Sequence, residues 1–105
     1  MTTLDLDPDT LRITKECLRA AADGPFFPDR EFQTLIGVDR DTVRLVMDAW
    51  PAQAVAPEEF ACAVMNSLTW LVSYPHGHAE AWGRYISVGP KEVRQTLDRL
   101  QAAGL

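Results

Sequence analysis

Seven prolines and six glycines punctuate this chain, and their placement leaves room for helices and little else. Proline fixes its own φ and has no N–H to give to a ladder. Pro8, Pro57 and Pro90 each stand where an apolar stripe of helical spacing begins, the one helical position at which the missing N–H costs nothing. Gly24-Pro25, Gly37, Pro51 and the stretch "SYPHGH" stand where such stripes stop. Between these marks the stripes are regular. Asp7 is placed to cap a first helix, with Asp9 at the positive end of its dipole and Leu11, Ile13, Cys17, Leu18 and Ala21 facing inward. "PDREFQTLIG" reads as a short second helix through Phe32, Leu35 and Ile36. Asp39 can cap a third, with Val43, Val46, Met47 and Trp50 inward. A fourth opens at Pro57 and is apolar nearly all round from Phe60 to Val72, the mark of a central helix. A short helix near Ala79–Tyr85 follows, and a last one carries Val93, Leu97 and Leu100. No run alternates usefully at the β period; "YISV" is at most briefly extended. The expectation is an all-α fold, a compact bundle of about six helices forming a single helical domain over residues 1–105.

Shifting the chain by fifty residues aligns its halves. Ile36, Val38, Val43, Arg44 and Asp48 fall on Ile86, Val88, Val93, Arg94 and Asp98, and Pro25 falls on Pro75. Phe32 meets Trp82, Leu35 meets Tyr85 and Trp50 meets Leu100. The expectation is two three-helix halves of helix-turn-helix type, 7–50 and 57–100, packed on each other. In that case Ile36, Ile86, Val43 and Val93 are equivalent core positions, and Arg44 and Arg94 equivalent surface or inter-half positions.

Composition bounds the function classes. The chain is acidic, with formal net charge −5, where nucleic-acid binders are commonly basic on at least one face. Cys17 and Cys62 have no metal-finger spacing and suggest no disulfide framework, so free thiols and a cytoplasmic setting are expected. The opening "MTTLDLDPDT" lacks the basic and apolar regions of a secretory leader. The apolar stretch Phe60–Val72 is too short to span a bilayer, so no membrane association is expected.

The segment "FPDREFQTLIGVDRDTVRLVMDAW" resembles the helix-turn-helix of winged-helix transcription regulators. That family places a Pro and an acidic-basic pair before the first helix of its motif, then a Gly-Val turn, then a Thr-Val-Arg start to the recognition helix. Here those places hold Pro28, Arg30-Glu31, Gly37-Val38 and Asp39 to Arg44. The tail "VRQTLDRLQAAGL" is similar to the lead into a wing, and no wing is expected beyond it. The resemblance implies a DNA-binding regulator, a dimer, with Arg40, Thr42 and Arg44 entering the major groove.

Electrostatics pull the other way. From Asp29 to Trp50 there are five acids against three arginines, and each carboxylate facing phosphate costs affinity. No Lys or Arg occurs between Arg44 and Arg84, while Asp48, Glu58, Glu59 and Glu80 do. A basic protein is therefore the favoured partner. In size and charge the chain is like the small acidic helical proteins that neutralise basic nuclease toxins. Phe26 and Phe27, adjacent between two prolines, are candidates for an exposed aromatic patch beside the acids. The protein-binding candidates are Phe26, Phe27, Asp48, Glu58 and Glu59. A homodimer is a second partner class. His76 and His78 flank Gly77 and are weak metal candidates, with Glu80 or Cys62 as an added ligand. Alternatively His76 caps the helix before it. No nucleophile motif or Gly-rich phosphate loop is present, and the paired carboxylates Glu58-Glu59 sit at a helix start where they need no catalytic role, so neither enzymatic activity nor a cofactor is expected.

Overall fold

The computed structural model describes residues 6–105; the reading of residues 1–5 as no secretory leader lies outside them. Three helices come first: α1 (Pro8–Asp23), α2 (Asp29–Ile36) and α3 (Arg40–Ala49). Three segments then run on unbroken as α4: Pro57–Ala61, a π-helical turn Cys62–Asn66, and Ser67–Ser73. A 3-10 turn, Ala79–Ala81, leads into Trp82–Tyr85, and together they make α5. The last helix, α6, spans Pro90–Ala102. The fold is all-α, a bundle of six helices, with no strand among the described residues.

Local chemistry sets the boundaries. The Asp7 side chain accepts from the Thr10 N–H at 3.3 Å and from the Thr10 hydroxyl, which closes the start of α1. Asp39 does the same for α3, taking the Thr42 N–H at 2.8 Å and its hydroxyl at 2.7 Å. Pro8, Pro57 and Pro90 each open a helix. α2 ends at Gly37, whose φ of 90° lies in the left-handed region. A β-carbon there would lie 3.2 Å from Cys62 Sγ, so this turn sits hard against the π turn of α4. Asn66, in the same π turn, donates from Nδ2 to the Ile36 carbonyl at 2.9 Å and satisfies the end of α2.

The buried side chains form one cluster. A Cα radius of gyration of 12.4 Å agrees with the ~13 Å of a packed chain of this length. α1 packs mainly on α3, and the last part of α4 packs mainly on α6. α1 also lies against α4 and α6, which joins the two helix pairs.

Positions fifty apart behave alike. Thr10, Ile13, Thr14, Cys17, Leu18 and Ala21 of α1 are buried, and so are Phe60, Ala63, Val64, Ser67, Leu68 and Leu71 of α4. Ile36 and Ile86 are buried, as are Val43 and Val93. The Arg44 Nη2 donates to the Ala22 carbonyl at 3.3 Å, and the Arg94 Nη2 donates to the Val72 carbonyl at 3.3 Å. Phe26 and His76, also fifty apart, meet ring edge to ring face with centroids 4.8 Å apart.

Candidate protein-interaction surfaces

α3 carries the residues that the regulator resemblance assigns to DNA, and all three are used within the fold. Arg40 lies at the C-terminal end of α1, which has no basic residue in its own last turn. Its Nη1 donates to the Ala21 and Ala22 carbonyls at 3.1 and 2.9 Å, and its Nη2 to the Phe27 carbonyl at 2.7 Å. Nε reaches Asp29 at 3.2 Å, and Nη2 approaches the same carboxylate at 3.0 Å. The guanidinium also lies over the Phe32 ring, 4.3 Å from its centroid. All three nitrogens of that planar fork are engaged, and the side chain is only 22 % exposed. Arg44 pairs with Asp23 at 3.1 Å and Asp41 at 3.0 Å. The Thr42 hydroxyl belongs to the Asp39 cap, and together with the Thr42 N–H it holds the Asp39 carboxyl below the ordinary carboxylate range. The carbonyls left open at the end of α1 thus engage both arginines, Arg40 largely covered and Arg44 half exposed.

The aromatic patch is a correction. Phe26 and Phe27 are 1 % and 3 % exposed, and neither presents a surface to a partner. Phe26 lies among His76, Trp82 and Tyr85, and Phe27 among Phe32 and Tyr74. The loop after α1 turns both rings into the contact between the two helix pairs. Adjacency to prolines says that this is a loop, but only the second half of the chain supplies what covers it.

The acidic candidates lie at the surface. Asp48, Glu58 and Glu59 are exposed, and no ion pair among the described residues involves them. The Trp50 and Phe60 rings stack with centroids 5.8 Å apart, which brings the end of α3 to the start of α4 and so the segments bearing these carboxylates together. The outer face of α3 adds a residue that sequence reasoning missed. Leu45 is 57 % exposed, the one large hydrophobic side chain so exposed among the described residues. Asp41, Leu45 and Asp48 stand at i, i+4 and i+7, one stripe of the helix, and all three are exposed. The signal was there: Leu45 falls off the Val43, Val46, Met47, Trp50 stripe. Compared with models of known protein families, with curated proteins and with solved structures, the chain finds no match.

The histidine loop is organised by its own hydrogen bonds. The His78 N–H donates to His76 Nδ1 at 2.9 Å, and His78 Nδ1 lies 3.6 Å from Glu80. The two rings are nearly parallel, with centroids 6.3 Å apart, and His76 Nδ1 is taken by the His78 N–H. Cys62 belongs instead to the contact with Gly37, and among the described residues no three metal-ligating side chains come together. Burial, then the neighbouring His78, lowers the His76 pKa, while the Leu71 carbonyl and Glu80 oppose that shift. His76 stands three residues past the end of α4, near which the sequence offered it a capping role. Cys17 is buried, and burial pushes its thiol up, away from reactivity.

A separate apolar groove runs between α1 and α3. Leu11, Met47, Trp50 and Pro51 line its floor, and Arg12, Lys15 and Arg19 stand along the α1 edge of its roughly 610 Å³. The Trp50 Nε1 is satisfied by the Leu11 carbonyl at 3.0 Å, which leaves the floor without an open polar group from that ring. No helix among the described residues is long and apolar enough to cross a membrane.

Proposed function

We propose that this chain is a small non-enzymatic protein-interaction module that takes a basic partner on the outer face of α3. One observation carries the reading: α3 commits the Arg40 and Arg44 guanidinium groups to carbonyls and carboxylates of its own fold and turns Asp41, Leu45 and Asp48 outward. A DNA-reading helix needs the reverse, cations facing phosphate and free side chains facing base edges. An exposed leucine between two carboxylates suits a protein surface with an apolar pocket and a basic rim. Asp48, Glu58 and Glu59 extend the negative field that would steer such a partner. An immunity- or antitoxin-like role, masking a basic protein in the cytoplasm, fits the size, the charge and the two free thiols.

The test has two arms. Fluorescence anisotropy with labelled mixed-sequence duplex DNA at low salt is expected to show no binding; micromolar binding lost on Arg40→Ala with Arg44→Ala would restore the regulator reading. Capture by the tagged protein is expected to enrich a basic protein, weaken with added salt and disappear in D41K/L45D/D48K. Capture that ignores that triple change would sink the proposed face.

A further inference from the structure

We infer that the α1–α3 groove is a second docking site, for an amphipathic helical segment of a partner protein with an acidic edge. This surface lies apart from the outer face of α3 and does not rest on the reading above.

The floor decides that the occupant is apolar on one side. Leu11, Met47 and Trp50 give a hydrophobic strip alongside α1, in a groove open along its length. An open groove cannot enclose a small ligand on most of its surface, which small-molecule sites commonly do. A helix laid along the strip inserts side chains at i, i+3, i+4 and i+7 and leaves its other face in water.

The edge decides the sign of the flank. Arg12, Lys15 and Arg19 follow one another on α1 and border the groove, with Glu16 as the acid among them. Glu16 is taken up inside the fold: it accepts the Ser87 N–H at 2.8 Å and pairs with Arg12 at 3.2 Å. Lys15 and Arg19 are exposed and join no ion pair among the described residues. Arg19 is held over the Tyr85 ring, 5.1 Å from its centroid, which steadies the charge without neutralising it. Arg12 is shared between Glu16 at 3.2 Å and Asp9 at 3.7 Å, so the positive charge that the border offers a partner is that of Lys15 and Arg19, on a chain whose net charge is −5. An apolar strip with a positive edge complements a helix with an apolar stripe and a carboxylate flank. The lysine and arginine lie one helical turn apart, so carboxylates at i and i+4 on the incoming helix would face both.

The experiment uses the full chain and three display libraries of amphipathic helices about fifteen residues long, alike in their randomised apolar stripe and differing in a Glu, Lys or Gln flank. The Glu library is expected to yield saturable binders, read by fluorescence polarisation of single labelled peptides. K15E/R19E should weaken the best of them about tenfold, from two ion pairs replaced by two repulsions. The same variant should gain binding to the Lys-flanked counterpart, a reversal that loss of folding cannot produce. K15Q/R19Q, with both side chains already in water, gives an intermediate affinity. Met47→Glu should abolish binding of either peptide. The inference is overturned if no library yields binders, if the Lys library is preferred by the unmodified chain, or if K15E/R19E leaves the Glu peptide unaffected. D41K/L45D/D48K should leave the Glu peptide bound while losing the basic partner, so either surface can fail alone.

Discussion

The two helix pairs solve one problem with different means. Each must close the C-terminal end of its long helix, where carbonyls have no helical partner. In the second pair Arg94 of α6 does so with a single bond to Val72. In the first pair Arg44 makes the equivalent bond to Ala22, and Arg40 adds three more to Ala21, Ala22 and Phe27. Fifty residues on from Arg40, α6 has Pro90, which has no such reach. The loops differ to match: "GPFFP" is locked under Arg40 with both rings buried, while "YPHGH" keeps a titratable ring at the place of Phe26. The first half has the firmer frame. Arg40 and Arg44 both belong to that frame.

The largest effect should come where the halves meet. Phe26→Ala removes a fully buried ring that touches His76, Trp82 and Tyr85, at a cost of about 4 kcal/mol in urea unfolding. A loss under 1 kcal/mol would mean the halves do not depend on this contact. Next is the unequal latch. Arg40→Ala strands the Ala21 and Phe27 carbonyls, leaves the Ala22 carbonyl to Arg44 alone, and is expected to cost about 3 kcal/mol, with a clearly smaller loss for Arg94→Ala. Equal midpoints for the two variants would erase the contrast. Third are two left-handed glycines. Gly37→Ala meets both an unfavourable φ and Cys62, and should cost about 2 kcal/mol; Gly77→Ala, with φ of 73° and open space around it, should cost about half that. Thermal melts of the pair decide whether the turn against α4 adds anything beyond backbone strain.

Two buried hydroxyls sharpen the comparison further. The Thr14 and Ser67 hydroxyls have no hydrogen-bond partner, and the equivalent positions in the other half hold Val64 and Cys17. Giving each half its counterpart's residue, Thr14→Val and Ser67→Cys, should stabilise by about 1 kcal/mol apiece. Destabilisation of either would show that the two sites differ in shape as well as in chemistry. The smallest effect concerns pH. His76 is held below its ordinary value, so at pH 8 it is neutral folded and unfolded alike. As the pH falls through ~6.5 the unfolded chain takes the proton first, and stability drops until the folded-state value is passed. His76→Phe, which installs the ring of the other half, should flatten the melting temperature between pH 7 and 5. An unchanged slope would assign it to other groups.

Legibility followed the range of the interactions. Asp7, Asp39 and the helix-opening prolines act within one turn, and the helices start where those residues predict. The apolar stripes gave the core positions for the same reason. The burial of Phe26 and Phe27 was not legible, because Tyr85 and Tyr74, which help cover them, lie some fifty to sixty residues away; nor were the bonds of Arg40 and Arg44 to carbonyls some twenty residues back. The π turn of α4 was invisible too, since Cys62–Asn66 keeps an ordinary apolar pattern while it shifts register to meet Gly37.

The borrowed caps also impose an order of events. The last carbonyls of α1 are answered by side chains some twenty residues further on, and those of α4 by one equally far ahead. A chain growing from its N-terminus therefore carries each long helix with a frayed end until the third helix of that half has been made. Every half is finished from behind, and neither long helix is complete while it is the newest one.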